Sequence, residues 1–203
     1  RLLLVGAATL PWTFFSTAFS EAANSLIANS NLLTKVYFPR LIVPASTIIV
    51  CLIDFLISLA ILLVLMAVYR FAPGVHVVLL PVFLLLALVT ALGTGTLIAA
   101  LNVKYRDFRY VVPFLVQFGL YVSPVAFSST DVLGHPDLPA LAKWFYMLNP
   151  MVSVIDGFRW CLLGGAATVY WPGFAVSAGV SVFLLVAGLR RFRRTERSFA
   201  DVI

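Results

Sequence analysis

The sequence has 203 residues, of which 62% are hydrophobic and 11% are charged, and its mean hydropathy is +1.05. Soluble domains contain about 45–50% apolar and about 25% charged residues, so this composition excludes a soluble enzyme. The formal net charge of +6 is compatible with binding to nucleic acid or to anionic lipid, and the placement of the charges along the chain decides between them. We predict an all-α integral membrane protein that binds no nucleic acid.

Five apolar stretches approach the roughly 20 residues that a helix needs to cross a hydrocarbon core of about 30 Å. A β-barrel would instead show short alternating strands. No internal repeat or low-complexity linker divides the chain, so residues 1–203 are predicted to form one transmembrane domain. The predicted spans are about 2–20, 41–69, 77–101, 110–127 and 170–189.

The basic residues indicate the orientation of these spans. If the first span runs from outside to inside, ten of the fourteen Lys and Arg residues fall in inner segments, as the positive-inside rule requires. The C-terminus is then cytoplasmic. Because Arg1 directly precedes an apolar run, without an initiating Met or a charged leader, we expect a truncated chain whose parent subunit has one earlier span and six in total.

The stretch 21–40 is polar but compatible with a helix, and it predicts a cytoplasmic helix outside the bilayer. Asp54 lies near the middle of the second span. A bare charge there would cost several kcal/mol, so we expect this carboxyl to be protonated, paired, or turned toward protein or water. Structural pairing is the favoured interpretation, and a proton relay is the alternative.

Two later spans carry residues that affect helix geometry. Small residues at 91–96 permit close helix packing. In the span 110–127, Pro113, Gly119 and Pro124 predict kinks or local unwinding. Segment 128–169 is predicted to form helices that lie in or dip into the outer leaflet.

Signals for catalysis and for metal binding are absent from the sequence. It contains no GxxxxGK[ST] phosphate loop and no GxSxG nucleophile motif. His76 and His135 are the only histidines, and no Cys, Asp or Glu cluster has the spacing of a metal site. Cys51 and Cys161 are interpreted as packing residues. We therefore predict a chain that is not an enzyme and binds no cofactor or metal of its own.

Five motifs in order resemble the type-2 ABC transporter permeases that export bacterial surface polysaccharides such as O-antigen and teichoic acid. They cover most of the chain. The motifs are LPWTFFSTAF (10–19), NSLIANSNLLTKVYFPRLIVP (24–44), NVKYRDFRYVVPFLVQFGLYVSPVAF (102–127), WFYMLNPMVSVIDGFRW (144–160) and FADVI (199–203).

The resemblance implies a homodimer that associates with two copies of a separate ATPase subunit, which would bind ATP and Mg²⁺. Its implied substrate is a lipid-linked polysaccharide that moves from cytoplasm to periplasm across the bacterial inner membrane. Alternatives are an ABC exporter of a drug or small lipid, a proton-coupled secondary transporter that uses Asp54, and a membrane-embedded transferase. The absence of matching inverted halves counts against a secondary transporter.

The resemblance also implies roles for the cytoplasmic segments. Stretch 22–37 corresponds to the coupling helix that docks on the ATPase, and an interfacial helix that only anchors to lipid is the alternative. The inner loop 102–109 corresponds to a cytoplasmic entrance near a pyrophosphate-bearing lipid head. Ordinary positive-inside topology is the alternative explanation for its basic residues. The coupling candidates are Asn24, Asn31, Leu32, Lys35 and Tyr37, and the entrance candidates are Lys104, Arg106, Asp107 and Arg109.

The resemblance places two spans beside the translocation path, and their aromatic side chains are expected to line it. Flat rings can stack on sugars without requiring one sugar sequence. Packing between helices, or a place in an interfacial belt, is the alternative for each ring. The path candidates are Trp12, Phe14, Phe15, Phe118 and Tyr121. The segment 138–165 corresponds to periplasmic gate helices, in which Asp156 and Arg159 are candidates for a pair on one helical face. A simple re-entrant plug is the alternative.

Overall fold

The computed structural model describes residues 2–30, 38–71, 73–105, 107–136, 139–164 and 169–196. All regular elements in these ranges are helical, which confirms the predicted all-α class. A 3₁₀ turn at Val75–Leu79 directly precedes α3. The α-helices of the described ranges are α1 Leu2–Ala28, α2 Ile42–Val68, α3 Leu80–Lys104, α4 Phe108–Val122, α5 Ser129–Leu133, α6 Ala140–Met147, α7 Pro150–Leu163 and α8 Trp171–Glu196.

Three helical stretches are long and apolar enough to cross a membrane. They are α2, the continuous stretch Val75–Lys104, and α8, and they correspond to the predicted spans 41–69, 77–101 and 170–189. The chain is therefore a multi-pass membrane protein. The fourth predicted span, 110–127, is shorter than expected, because α4 has only 15 residues and extends over about 22 Å.

The end of α4 has a local cause. Ser123 is extended, with φ −90° and ψ 148°, and it precedes Pro124, whose ring disfavours helical geometry in the preceding residue. Pro113 lies within α4 and does not end it. Three positions were predicted to disturb this helix. Of these, Pro124 is the one next to the point where α4 ends.

The first helix is longer than predicted. A span at 2–20 followed by a separate helix at 22–37 was expected, whereas α1 continues without interruption to Ala28. No proline or glycine lies between residues 12 and 28, so nothing in the local sequence ends the helix at the predicted boundary. Residues 31–37 lie outside the described ranges.

Helices α3 and α8 cross closely, as the small residues at 91–96 predicted. A Cβ on Gly93 would lie 2.5 Å from the backbone nitrogen of Leu185, and one on Gly188 would meet the carbonyl oxygen of Gly93. One turn away, the hydroxyls of Thr90 and Ser181 are 2.8 Å apart. Small side chains therefore allow direct contact between the two backbones.

Helix α7 lies inside the bundle, in contact with α1, α3 and α8. Eleven of its 14 residues are buried. Its Gly157 faces the ring of Phe83, and Cys161 is fully buried. Instead of lying on the outer leaflet, this segment therefore dips into the protein and forms part of its core.

The direction of α7 follows from its contacts with α8. Trp160 near the end of α7 has its ring centroid 5.8 Å from that of Trp171, the first residue of α8. Ser153 near the beginning of α7 bonds to Ser177, 2.8 Å away and nearly two turns into α8. The N-terminus of α7 therefore lies deeper in the bundle than its C-terminus.

Candidate functional site

A cavity of about 210 Å³ lies between α1, α3, α4 and the beginning of α7. Apolar side chains form most of its wall, and the polar groups of Thr94, Ser123 and Asn149 line it as well. From α1, the lining includes Trp12, Phe15 and Phe19. Two of the five predicted path residues, Trp12 and Phe15, therefore lie at one cavity, and Phe19 is a member that the sequence analysis missed.

The three rings from α1 form a continuous aromatic surface. The ring centroids of Trp12 and Phe15 are 5.7 Å apart, and those of Phe15 and Phe19 are 5.9 Å apart with nearly parallel planes. The tip of the Trp12 indole lies against Gly119 of α4, where a Cβ would be only 2.8 Å away. Spacings of three and four residues in the sequence were the signal for this surface.

Phe14 does not belong to this surface, which corrects its predicted place beside a path. It is 4% exposed, and its ring centroid is 5.2 Å from that of Phe55 in α2. The position lies on the opposite side of α1 from Trp12 because consecutive helical residues are separated by about 100°. Phe14 is a core residue.

Phe118 and Tyr121 are on the outward side of α4, away from the cavity. Their side chains are 59% and 71% exposed. Phe114, one turn earlier, stacks on Phe118 with 6.2 Å between ring centroids. Together with Tyr110, these rings form an exposed aromatic face along α4, which we call the α4 aromatic face (Tyr110, Phe114, Phe118 and Tyr121).

A polar face of α1 was not singled out by the sequence analysis. Its residues recur every three or four positions, and each is exposed or only partly buried. Hydroxyl groups here bond to carbonyl oxygens one turn earlier, as Thr9 does to Val5 at 2.8 Å, but they keep capacity for further partners. The face consists of Thr9, Thr13, Ser16, Thr17, Ser20 and Asn24.

Such a face is unfavourable against lipid tails, because polar groups in hydrocarbon lack partners. It lies beside Trp12, since Thr13 and Ser16 are neighbours of that residue on the helix surface. The face is therefore suited to contact with water, with a polar molecule or with another subunit.

The predicted pair in the gate region has a different arrangement from the one expected. Arg159 is 4% exposed. Its Nη1 donates to the carbonyl oxygen of Phe127 at 2.7 Å, and its Nη2 donates to that of Val125 at 2.9 Å. Instead of a direct ion pair with Asp156, the guanidinium binds the chain that follows α4.

Asp156 interacts with the same region through Ser129. Asp156 is partly buried, has a side-chain hydrogen bond with Ser129 and lies near the Arg159 charge. The Ser129 hydroxyl also lies 3.1 Å from the Tyr146 hydroxyl. Burial raises the pKa of Tyr146 to about 12, so Tyr146 stays neutral at physiological pH.

Comparison with known proteins identifies the family. Residues 3–163 match the family described as ABC-2 type transporter. The chain belongs to this family. It is 32% identical over 194 residues to the O-antigen export system permease protein RfbA of Myxococcus xanthus, with 96% of this chain and 73% of the relative covered. It is also 24% identical over 194 residues to a permease of the same name from Klebsiella pneumoniae, with 95% and 72% covered.

Family membership makes this chain a transport subunit, consistent with the expectation that it is not itself an enzyme. Its inner loop, the predicted entrance, lies at the end of α3. Lys104, Asp107 and Arg109 are exposed there, and Arg106 lies outside the described residues. The Arg109 guanidinium carbon lies 5.1 Å from the centre of the Tyr110 ring. The permease therefore presents two cations beside the inner end of the α4 aromatic face.

The predicted coupling segment is described only in part. Asn24 belongs to α1 and donates to the carbonyl oxygen of Ser20 at 2.9 Å. Asn31, Leu32, Lys35 and Tyr37 lie outside the described residues. Leu26, within the described part of the segment, belongs to an inner cluster of buried side chains. This cluster consists of Leu26, Val43, Ala99, Ala100, Val103 and Phe192, with Phe38 and Leu41 against it.

Asp54 occupies an exposed position near the middle of α2. Ser58 donates to its backbone carbonyl at 2.9 Å, but its carboxylate has no hydrogen bond or ion pair within the described part of the permease. The described residues therefore supply no partner for the favoured pairing of Asp54, which stays a prediction. The exposed position is compatible with contact to water or to another subunit.

Proposed function

We propose that this permease exports a lipid-linked polysaccharide across the bacterial inner membrane, from cytoplasm to periplasm. The observation that carries the proposal is the similarity of nearly the whole chain to permeases named for O-antigen export. Two copies would form the path, and two separate ATPase subunits would bind ATP and Mg²⁺ and drive the transport. The C-terminus would be cytoplasmic, because it lies on the side of the membrane on which most of the Lys and Arg residues fall.

Two surfaces of α1 and α4 support a path for a sugar polymer. The hydroxyls on the polar face of α1 offer exchangeable hydrogen bonds along its length. The α4 aromatic face offers flat rings that are exposed in the single chain. Neither surface provides a fixed pocket for one sugar, which suits a polymer that must slide along the wall.

Two inner segments support the proposed connection to an ATPase. The inner cluster joins α1, α2, α3 and α8 next to the stretch 22–37, so a force on that stretch would act on four helices together. Arg40 donates to the backbone oxygen of Glu196 at 2.7 Å and connects the beginning of α2 to the end of α8. The inner loop with Lys104 and Arg109 is placed to attract a phosphate-bearing lipid head.

The test is co-expression of the full-length permease with the ATPase encoded beside it, followed by purification and reconstitution in lipid vesicles. We expect a stable complex whose ATP hydrolysis and polymer export both depend on the coupling segment. Lys35→Glu and Tyr37→Ala are expected to uncouple the two activities. Arg70→Met, in an exposed outer turn, is the matched control and should leave them unchanged.

Two results would contradict the proposal. Export of a small lipid or drug but no polymer would favour a different cargo for the same kind of transporter. If no ATPase associates, and transport follows a proton gradient and fails in Asp54→Asn, the chain is a secondary transporter.

A further inference from the structure

Helices α4 and α7 together make one discontinuous crossing of the bundle. Each is shorter than the roughly 20 residues that a full crossing needs, with 15 and 14 residues that extend over about 22 Å and about 21 Å. The side chain of Asn149 donates to the Ser123 hydroxyl at 3.0 Å, so the end of α4 lies next to the beginning of α7. The chain therefore leaves the bundle after α4 and returns to the same depth before α7.

Three polar contacts connect the two sides of this excursion. The first is Ser123 with Asn149, where the Asn149 side chain also caps α7 by accepting from the backbone nitrogen of Met151 at 3.1 Å. The second is Ser129 with Tyr146. The third is Arg159, whose two terminal nitrogens bind the carbonyl oxygens of Val125 and Phe127.

The third contact is the strongest of the three on physical grounds. A buried guanidinium is costly unless hydrogen bonds satisfy it, and hydrogen bonds from a charged donor are stronger than those between neutral groups. The acceptors are available because residues 123–128 are not helical. The position just beyond the C-terminal end of α4 also favours a cation, because the helix dipole is negative there.

Resting on the proposed function, we propose that Arg159 is a positioning residue that joins α4 to α7, so that the two helices move as one body during transport. Helix α4 begins directly after the inner loop, and α7 ends at the outer side. A displacement that begins at the inner loop would then reach the outer end through the guanidinium. The planar fork of Arg holds two carbonyls at fixed geometry, which a Lys ammonium cannot reproduce.

The alternative role for Arg159 is packing alone, and the two roles predict different results for Arg159→Met. Met fills a similar volume but donates no hydrogen bond, so it leaves the carbonyl oxygens of Val125 and Phe127 without this donor. If Arg159 only fills space, Arg159→Met should therefore export normally. If it positions α4 against α7, the variant should fold and hydrolyse ATP but export poorly.

The experiment measures polymer exported per ATP hydrolysed by the full-length permease with its ATPase in lipid vesicles. Because two charge-assisted hydrogen bonds are lost, we expect this ratio to fall about tenfold in Arg159→Met, while assembly with the ATPase and ATP hydrolysis are retained. Arg159→Lys should give an intermediate ratio. The control Arg70→Met, which removes an exposed outer arginine, should match wild type. A wild-type ratio in Arg159→Met would overturn the proposal.

A second variant tests the proposal when Arg159→Met cannot be purified. If Arg159→Met does not assemble, Ser123→Ala breaks the first contact without leaving an unpaired charge. Unchanged ratios in both Ser123→Ala and Arg159→Lys would then overturn the proposal.

If the wild-type complex exports no polymer, the proposed function fails, and the connection between helices is tested without a substrate. Spin labels are placed at Tyr121→Cys on α4 and Trp160→Cys on α7, with Cys51 and Cys161 replaced by Ala and labelled protomers diluted in unlabelled ones. Arg159→Met should broaden the distance distribution between the labels, and Arg70→Met should not. An unchanged distribution in Arg159→Met would contradict the proposed connection.

Discussion

At the scale of single residues, the space beside a glycine Cα determines how closely α3 and α8 approach. A Cβ on Gly188 would meet the carbonyl oxygen of Gly93, whereas one on Gly179 of the same helix has no atom within 4 Å. Backbone atoms cannot move aside as the end of a flexible side chain can. The same substitution therefore has opposite expected effects at the two positions.

We expect Gly188→Ala to destabilise the permease by about 1–3 kcal/mol, because the two helices must separate. Gly179→Ala should be neutral or slightly stabilising, since Ala favours a helix by up to about 1 kcal/mol over Gly. Thermal unfolding in detergent, followed by intrinsic fluorescence, measures both variants. Equal melting temperatures for the two variants would contradict the close approach of the backbones.

At the scale of helices, Asn102 connects α3 to the inner half of α1. Its side-chain nitrogen donates to the carbonyl oxygen of Ala23 at 2.7 Å, and the residue is fully buried. Asn29 makes a similar bond, but to Ser25 one turn earlier in the chain, and it is exposed. The first bond joins two helices, whereas the second joins neighbouring turns.

We expect Asn102→Ala to lower the free energy of unfolding by about 1–3 kcal/mol, because the bond to Ala23 is lost and a cavity forms. Asn29→Ala is the matched control and should change stability by less than about 0.5 kcal/mol. Denaturation in mixed detergent micelles measures both values. A loss of equal size in the two variants would argue against the connection between α1 and α3.

Helix boundaries were harder to predict than helix existence. The hydropathy pattern gave the centres of α2, α3 and α8, because burial in hydrocarbon requires long apolar stretches. It placed the end of the first helix near residue 20, whereas α1 continues to Ala28. Hydropathy indicates where the bilayer begins, and a helix can continue into water when no residue ends it.

At the scale of the whole molecule, substitutions of exposed and of buried aromatic residues should change different properties. The former should change the export rate, and the latter the stability of the fold. Phe118 is 59% exposed on the α4 aromatic face, whereas Phe14 is 4% exposed against α2. If the exposed face contacts the polymer, its rings contribute to transport but not to the packing of the single chain. Phe14 contributes to packing alone.

Phe118→Ala is therefore expected to leave the melting temperature nearly unchanged and to reduce the export rate. Phe14→Ala should lower the free energy of unfolding by about 3–5 kcal/mol, because it empties a packed core site. Export in vesicles and thermal unfolding are measured on the same preparations. Normal export by Phe118→Ala would remove that ring from the proposed path.

The family resemblance, and not periodicity, pointed to part of the candidate site. It placed Trp12 and Phe15 on a span beside the expected path, and the structure puts both at one cavity. Helical periodicity would have added Phe19, and the same periodicity in Thr9, Thr13 and Ser20 would have indicated the polar face of α1. The pairing of Asp156 with Arg159 was expected from their separation of three residues, but the carbonyl oxygens of distant residues compete for the guanidinium.

The sequence by itself determined the membrane class, the helical composition and three of the spans, because these depend on the length and polarity of continuous segments. The ordered motifs also indicated the ABC-2 type transporter family that the comparison establishes. Only the tertiary structure decided that α7 enters the core, that Phe14 turns away from the cavity and that Arg159 binds the chain after α4. These features depend on contacts between residues far apart along the chain, which local pattern and composition do not specify.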